Sequence, residues 1–399
     1  MQASERRVLI VGAGPVGLMT AYLLSRQGIP SLVMEQEAEL PRDLRASTFH
    51  PPTLDMLDEH GFASPLIAQG RICPSWQIRM HDTHERAEFD LSVLKDDTAH
   101  PYRLQCEQWR LCVLLLERLQ GEALVDIRFS TRLTDLAQDG DGVTATVEGP
   151  SGIEKLRGLF LVGADGARSV VRGLIGLEFD GVTYPETTIL ATTSFRFEDH
   201  LPGLSNVNYV WKKDGTFSLL RLPDRWRCSL YPDPGMPIEE ALLPENIDRK
   251  MQEIVPRDAE YEIGEARAYR VHMRITRDYR NGRVVLAGDA AHINSPSGGM
   301  GMNGGLHDAF NLSSTLTEIW RGASLDLLDR YTRQRRPIAE AEVLAQADRN
   351  RSRMQERDPA KRRVILDDLL RIIANPESAR AYLLRSSMIE ALRKSAQIQ

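Results

Sequence analysis

The stretch from Val8 to Glu35 constrains the fold of this chain more than any other. Val8 to Val11 form an apolar run, Gly12, Gly14 and Gly17 complete a GxGxxG pattern around Pro15 and Val16, and Leu18, Met19, Tyr22 and Leu23 continue at helical spacing. Gly28 ends that helix, Ser31 to Met34 make a second strand, and Glu35 follows 18 residues beyond Gly17. In such a unit the first glycine permits a tight turn, the second lets a pyrophosphate reach the backbone, and the third lets the helix pack on the strand. An acid at the end of the second strand binds ribose hydroxyls and repels a 2′-phosphate. GxGxxG alone is weak evidence; in this order it predicts a dinucleotide site on a parallel α/β sheet of Rossmann type.

A second stretch, VVLAGDAAHINSPSGGMGMN from Val284 to Asn303, reads as a covered strand, a tight turn and a glycine-rich loop entering a helix. Gly288 opens the turn and puts Asp289 beyond the strand's C-terminal end, where a carboxylate accepts hydrogen bonds from sugar or polyol hydroxyls. Gly298, Gly299 and Gly301 strip side chains from a segment that brings backbone N–H groups near a ligand, and a helix starting near Asn303 adds its positive dipole end. Such a loop suits a group that gains negative charge, as the N1–C2=O edge of a flavin does on reduction. Read by itself, the loop is equally a plain connection.

Between these stretches the rhythm changes. Thr53 to His60 read as a helix closed by Gly61, and Arg71 to Pro101, with Trp76, Ile78 and Met80, as strands of a separate sheet. Leu104, Leu111, Leu115 and Leu119 give an amphipathic helix with Gln105 at its start. Val125–Phe129 and Val143–Val147 read as strands of a hairpin about DGDG. Leu159 to Val162 lead into GADGARSVVR, where Asp165 with Arg168 and Arg172 form either a structural salt bridge or a cofactor-side turn. Tyr184 to Tyr269 hold short strands and a helix around Pro244 to Ile254, which predict a second, mainly antiparallel sheet facing the cofactor. Charged helices end the chain, and Arg349 to Arg363 read as a solvated or peripheral face, not a binding patch.

Composition excludes several function classes. With 42% hydrophobic and 27% charged residues and a net charge of −6, the 399-residue chain buries a sizeable core and carries no basic footprint for nucleic acid. Cys73, Cys106, Cys112 and Cys228 show neither CxxC spacing nor a zinc-type histidine pattern, so no metal is expected and the thiols read as reduced, in a cytoplasmic protein. Three glycines and a proline interrupt the apolar N-terminal run, against a signal peptide or a membrane span.

With GAGPVG and Glu35, GADGARS at Gly163 to Ser169, AGDAAH with SPSGGMGMN, and Tyr331 through Pro337 in this order, the chain resembles the single-component FAD-dependent aromatic hydroxylases typified by 4-hydroxybenzoate hydroxylase. The resemblance spans most of the chain. It implies that Gly12, Gly14, Pro15, Val16, Gly17 and Glu35 hold the ADP part of FAD, and that Asp289 bonds the ribityl chain. It implies that Gly301 and Met302 present backbone N–H groups to the flavin N1–O2 edge, with Pro296 lining the ring and Gly299 and Asn303 also among the cofactor-binding residues. Arg45 and Gln105 are similar to a flavin-contacting arginine and glutamine, Leu133 to an adenine-side backbone contact, and Asp165 and Arg168 to a turn serving FAD and the nicotinamide donor. Arg45 is otherwise readable as a solvated loop cation.

The expected organisation is an FAD-binding domain from residues 1–75, 100–182 and 276–350, an interleaved substrate sheet from 76–99 and 183–275, and C-terminal helices over 351–399. The chain looks too short for the thioredoxin-like domain of larger phenol hydroxylases. No second Rossmann unit for a nicotinamide is visible. The resemblance implies that NADH or NADPH reduces FAD, that O2 adds at flavin C4a to form a hydroperoxide, and that one oxygen passes to an electron-rich, usually phenolic, small aromatic substrate. No motif marks the substrate sheet. Tyr209, Arg221, Arg227 and Tyr231, with His50 near the flavin side, are candidates to assist the substrate hydroxyl, each equally readable as structural. Epoxidation, N-hydroxylation or saturated-bond reduction on the same fold, and a non-catalytic FAD-binding protein, are the rival readings. The substrate, the choice of NADH or NADPH and the oligomeric state stay open.

Overall fold

A computed structural model describes residues 5–42 and 46–399; Arg45 lies outside the described residues. Val8–Val11 sits inside a six-stranded sheet ordered Arg280–Asn281, Val284–Leu286, Phe160–Gly163, Val8–Val11, Ser31–Met34, Val125–Arg128. All neighbours are parallel except the Arg280–Asn281 edge. The runs VLIV, SLVM, FLVG and VVL are buried throughout, as strands covered on both faces require. The Pro15–Arg26 helix packs against the Gly301–Trp320 and Gln108–Leu119 helices. The fold is the α/β class expected, with a cofactor-type parallel sheet and a second, larger sheet.

Two elements differ from the sequence reading. The DGDG hairpin pairs Arg132–Gln138 with Val143–Gly149, while Val125–Arg128 is the edge of the parallel sheet. Ser130, at φ 50°, turns the chain between these two strands. Gln105 does not open a helix. Arg103–Gln105 is a strand between Thr48–Phe49 and Arg71–Cys73, and the helix begins only at Gln108. The leucine spacing continues across that boundary, but the backbone of Leu104 and Gln105 is claimed by cross-strand pairing.

The second sheet has eight strands, ordered His292–Ile293, Ile263–Thr276, Phe179–Thr193, Trp226–Leu230, Gly215–Arg221, Val207–Lys212, Ser75–Met80, Arg86–Asp90. Two of these strands run 15 and 14 residues, longer than the short strands expected. Side-chain alternation sorts its residues into two faces. Ile189, Ala191, Cys228, Leu230, Phe217, Leu219 and Val210 form one core with Ile247 and Met251 of the Pro244–Gln252 helix. By register, Thr188, Arg227, Tyr209, Ile78 and Trp76 occupy the opposite face. The Pro359–Ala374 and Pro376–Ser386 helices close its edge, packing Leu366, Leu369 and Leu383 on Trp76, Ile78 and Phe89.

The charged run from Arg349 to Arg363 is a solvated face only in part: Arg349, Arg357 and Lys361 are exposed, while other arginines turn inward. Buried Arg362 donates to the Lys212 and Gly215 carbonyls at 2.7 and 3.1 Å, closing the turn between two strands of the large sheet. Arg351 pairs with Glu186 and lies 3.5 Å from the Tyr184 ring centroid. The arginines turn inward because the sheet offers carbonyls, a carboxylate and a ring where the helix lands.

A buried charge cluster fixes the third motif. Asp308, on the Gly301–Trp320 helix, accepts from Arg335 Nε at 2.6 Å, is bonded to His292 Nε2 at 2.8 Å, and accepts the Gly288 N–H at 3.0 Å. Tyr331 donates its hydroxyl to the Leu286 carbonyl at 2.9 Å. Burial opposes the Asp308 charge, yet Arg335 and His292 hold its carboxyl below the usual carboxylate range. Replacing it with asparagine strands the Arg335 charge. Asp308→Asn is expected to cost about 3–5 kcal/mol in urea unfolding of the FAD-saturated protein; an unshifted midpoint contradicts this role.

Candidate active site

The glycines of the first motif divide by geometry. A Cβ on Gly12, which sits at φ 103°, would lie 2.4 Å from the Ala164 carbonyl oxygen, and one on Gly17 would lie 1.9 Å from that of Gly12. A Cβ on Gly14 would meet nothing within 4 Å. Gly12 and Gly17 are therefore demanded by the fold, whereas Gly14 borders open space at a helix start that no side chain caps and that begins with Pro15. That space, above unpaired helix N–H groups, fits a pyrophosphate. Val16 packs against Gly288 and Gly305, joining the first motif to the third. Glu35 borders the same space: its carboxylate accepts the Ala13 N–H at 2.8 Å and the Glu37 N–H at 3.0 Å, leaving lone pairs for ribose hydroxyls. Leu133 is buried in the apolar core, so only its backbone is available to an adenine.

In the GADGARS turn Asp165 accepts from Ser169 Oγ at 2.6 Å and the Val171 N–H at 3.0 Å, tying down the short Val170–Leu174 helix. Burial raises its carboxyl pKa, and these hydrogen bonds oppose the rise. Arg168 points to solvent. Arg172 is the arginine that bridges motifs: it donates to the Ala290 and Ala167 carbonyls, both at 2.9 Å, with its guanidinium 3.8 Å from the Phe179 ring centroid. Asp289 is exposed in the adjoining Gly288–Ala290 turn.

The SPSGGMGMN loop is held from behind. Asn303 Oδ1 accepts the His50 N–H at 2.9 Å, and its Nδ2 donates to the Thr48 and Gly299 carbonyls at 2.8 and 2.7 Å. The Asn303 side chain is thus a brace, and only its backbone N–H is left for a ligand. Gly298 and Gly299 take φ values of 99° and 68°, and a Cβ on Gly299 would lie 2.6 Å from that of Thr48. The following helix starts at Gly301 behind Met300, which provides no side-chain cap, so the first-turn N–H groups of Gly301 and Met302 lack intrahelical partners. Pro296 is exposed on the loop. His50 Nε2–H donates to the Gly298 carbonyl at 2.8 Å; burial and then Arg103 push its imidazole pKa down to about 3.

Gln105 bonds Ser47 at 3.1 Å and Thr48 at 2.9 Å, and Arg227 reaches over from the large sheet to donate to Ser47 Oγ at 2.9 Å. Tyr209 lies on the same sheet face in a narrow cleft, which also has Trp76, Arg103, Arg353, Tyr382 and Gly298 in its walls. Tyr209 meets Trp76 edge-on at 6.1 Å, while Trp76 and Tyr382 both stack on Phe89, at 4.5 and 4.6 Å. Desolvation pushes the Tyr231 hydroxyl up to about 12, so it remains a protonated donor at neutral pH. Arg221 is not brought here. It lies on the opposite face, 3.3 Å from Glu198 and over the Trp226 ring. Arg103 and Tyr382 escaped the sequence reading. Arg103 shares a strand face with Gln105, a period-two signal hidden by taking this segment as helix.

The profile of the FAD binding domain family matches residues 5–346. Para-nitrophenol 4-monooxygenase of Pseudomonas sp. is 35% identical over 368 residues, covering 91% of this chain and 90% of that protein. 6-Hydroxy-3-succinoylpyridine 3-monooxygenase of Pseudomonas putida is 34% identical, over 83% and 84%. The crystal structure of p-nitrophenol 4-monooxygenase PnpA from Pseudomonas putida superposes with a TM-score of 0.90 at 33% identity, over 97% and 98% of the two chains. The chain belongs to the FAD-dependent aromatic monooxygenases. An aklavinone-11 hydroxylase solved with FAD and aklavinone is 30% identical, with a TM-score of 0.79 over 89% of this chain and 70% of that one.

For this monooxygenase the open space at Gly14 and the uncapped helix behind Met300 fit FAD at its two ends. Gly14→Val is expected to leave apo-protein stability within about 1 kcal/mol of wild type while FAD affinity falls at least about tenfold. Gly17→Val is expected to lose the fold instead. Parallel melting curves and FAD titrations check the pair, and equal behaviour of the two variants contradicts it.

His307 is also pushed to about 3, by burial and then by Arg335, and it bonds Thr53 Oγ1 at 2.9 Å. For His50 and His307 the folded pKa lies below the unfolded value of 6.5. The unfolded chain therefore takes up protons first. Their contribution is complete above pH 6.5 and is lost at about 1.4 kcal/mol per pH unit per histidine as pH falls toward 3. Urea unfolding at pH 7.5 and 5 should show the loss, with a smaller slope in His50→Gln; an unchanged slope in that variant would assign the acid sensitivity elsewhere.

Proposed function

We propose that this monooxygenase hydroxylates a small phenol-type aromatic, using O2 and either NADH or NADPH. One observation carries the reading: Gly298, part of the loop assigned to the flavin, is also part of the wall of the cleft lined by Trp76, Tyr209 and Tyr382. A ring lying among those side chains abuts the cofactor loop. The names of the relatives, a nitrophenol 4-monooxygenase and a pentachlorophenol 4-monooxygenase among them, support a phenolic class.

Bound FAD would supply the redox chemistry, accepting electrons from the nicotinamide and activating O2. The chain supplies position and field. The Gly12–Gly17 turn and Glu35 hold the ADP end, Asp289 the ribityl side, and the Asp165 turn lies beside them. Backbone N–H groups of Gly301 and Met302 provide a positive edge for the N1–O2 side, with Pro296 and Gly299 beside the ring and Gln105 behind. Arg227 and Tyr209 present donors from the sheet face, and the aromatic walls exclude water from the ring under attack. The domain division given above and a cytoplasmic location, in keeping with four buried free cysteines, belong to the same proposal. No described helix is long and apolar enough to cross a membrane.

The expected result is a yellow purified protein whose NADH or NADPH oxidation rises with a subset of phenols, and whose product carries one oxygen atom from isotopically labelled O2. Failure to take up FAD, or label appearing only in water and peroxide for every aromatic tried, overturns the proposal.

A further inference from the structure

The cleft beside Gly298 is unbalanced in charge: among the described residues two arginines line it, Arg103 and Arg353, and no carboxylate does. Arg103 is only 3% exposed, and its Nε has no hydrogen-bond partner among the described residues. The groups that favour its charge are Tyr209, which is hydrogen-bonded to it, Tyr382 and Cys73, with no acid among them. One side of the guanidinium is covered by the Trp76 ring at 4.9 Å. Arg353 donates to the Tyr382 hydroxyl at 3.2 Å, which orients it at the same cleft. Nearby His50 is held neutral, so it adds no charge of its own.

A guanidinium cannot shed its proton to escape such a site, and a buried cation without a counter-ion is costly. Folded proteins keep such a group where a ligand completes it. Arg103 stands two residues before Gln105 on one strand, so both side chains leave the same face, one toward the cleft and one toward the cofactor loop.

We propose that Arg103, assisted by Arg353, anchors an anionic oxygen carried by the aromatic substrate, either a phenolate or a ring carboxylate. This rests on taking the cleft as the substrate site. An anion paired with Arg103 has its ring set against Trp76, Tyr209 and Tyr382, with another ring edge turned to the Gly298 loop. A phenolate held this way is also kept in its electron-rich form. Neutral aromatics of the same size fill the walls but leave the guanidinium without a counter-charge, so discrimination comes from charge more than from shape.

The test is calorimetric titration of the FAD-loaded protein with 4-nitrophenolate, 4-hydroxybenzoate and the neutral 4-hydroxybenzamide. At least one anion is expected to bind about tenfold or more tightly than the amide. Preference for nitrophenolate, fading as pH falls through the ligand's own ionisation, identifies a phenolate; preference for hydroxybenzoate identifies a carboxylate. In Arg103→Met the anion should lose about 30-fold and the amide less than about threefold, while Arg103→Lys retains part of the preference. The wild-type comparison stands even if the methionine variant folds poorly. Amide binding equal to both anions in wild type, or equal losses for anion and amide in a folded Arg103→Met, overturns the assignment. Charge-selective binding without turnover of any aromatic would keep the anion site and remove the hydroxylase reading; turnover of neutral and anionic phenols alike would do the reverse.

Discussion

The buried pairing of Asp308 with Arg335 and His292 is the constraint on which the cofactor side depends. The Gly288 turn has little apolar surface of its own, so burial does not fix it. It is fixed because Asp308 also accepts its N–H, while Tyr331 holds the preceding carbonyl. A buried ion pair is weak evidence for net stability, since desolvation consumes much of the attraction. What it provides is specificity: a carboxylate with three committed donors permits one arrangement of strand end, turn and helix. Val16, wedged against Gly288 and Gly305, passes that arrangement to the first glycine turn, and Arg172 passes it to the GADGARS turn.

The same logic holds on the flavin side, with neutral groups. Asn303 spends its side chain on the backbone of Thr48, His50 and Gly299, so the loop before the helix is drawn against the small three-stranded sheet that carries Gln105 and Arg103. Gly298 and Gly299 accept the left-handed backbone this requires. The helix is left without a side-chain cap. In an ordinary helix that omission is a small defect; under the function proposed above it leaves donors in place for an anionic cofactor edge.

What could be read from the sequence was what local geometry determines. Gly12 and Gly17 are dictated by contacts with their own turn and the next strand, and Glu35 by its place at a strand end, so spacing announced them. The Asp308 cluster was invisible because its members stand 16 and 27 residues apart and meet only when two helices pack. Arg221 and Arg227 were indistinguishable for a different reason. Arg221 pairs across the turn with Trp226 and Leu220 with Arg227, so the odd-numbered residues of one strand share a face with the even-numbered residues of the next. Without that register, two arginines six positions apart look equivalent, yet only Arg227 comes to lie beside Ser47. Arg362 and Arg351 were misread because charge density suggests solvent until the carbonyls and carboxylate awaiting them are known.

The large sheet is antiparallel except where Val207–Lys212 runs alongside Ser75–Met80. That one junction brings together strands between which the chain lays down two strands of the parallel sheet, Val125–Arg128 and Phe160–Gly163. Neither layer is therefore a contiguous length of polypeptide, and the large sheet gains its Trp76 edge from a strand that lies two parallel-sheet strands back along the chain. Closing so long a loop is entropically slow. The two layers are consequently interleaved along the chain, so the Trp76 wall can be reshaped by substitution but cannot be cut out as one continuous segment.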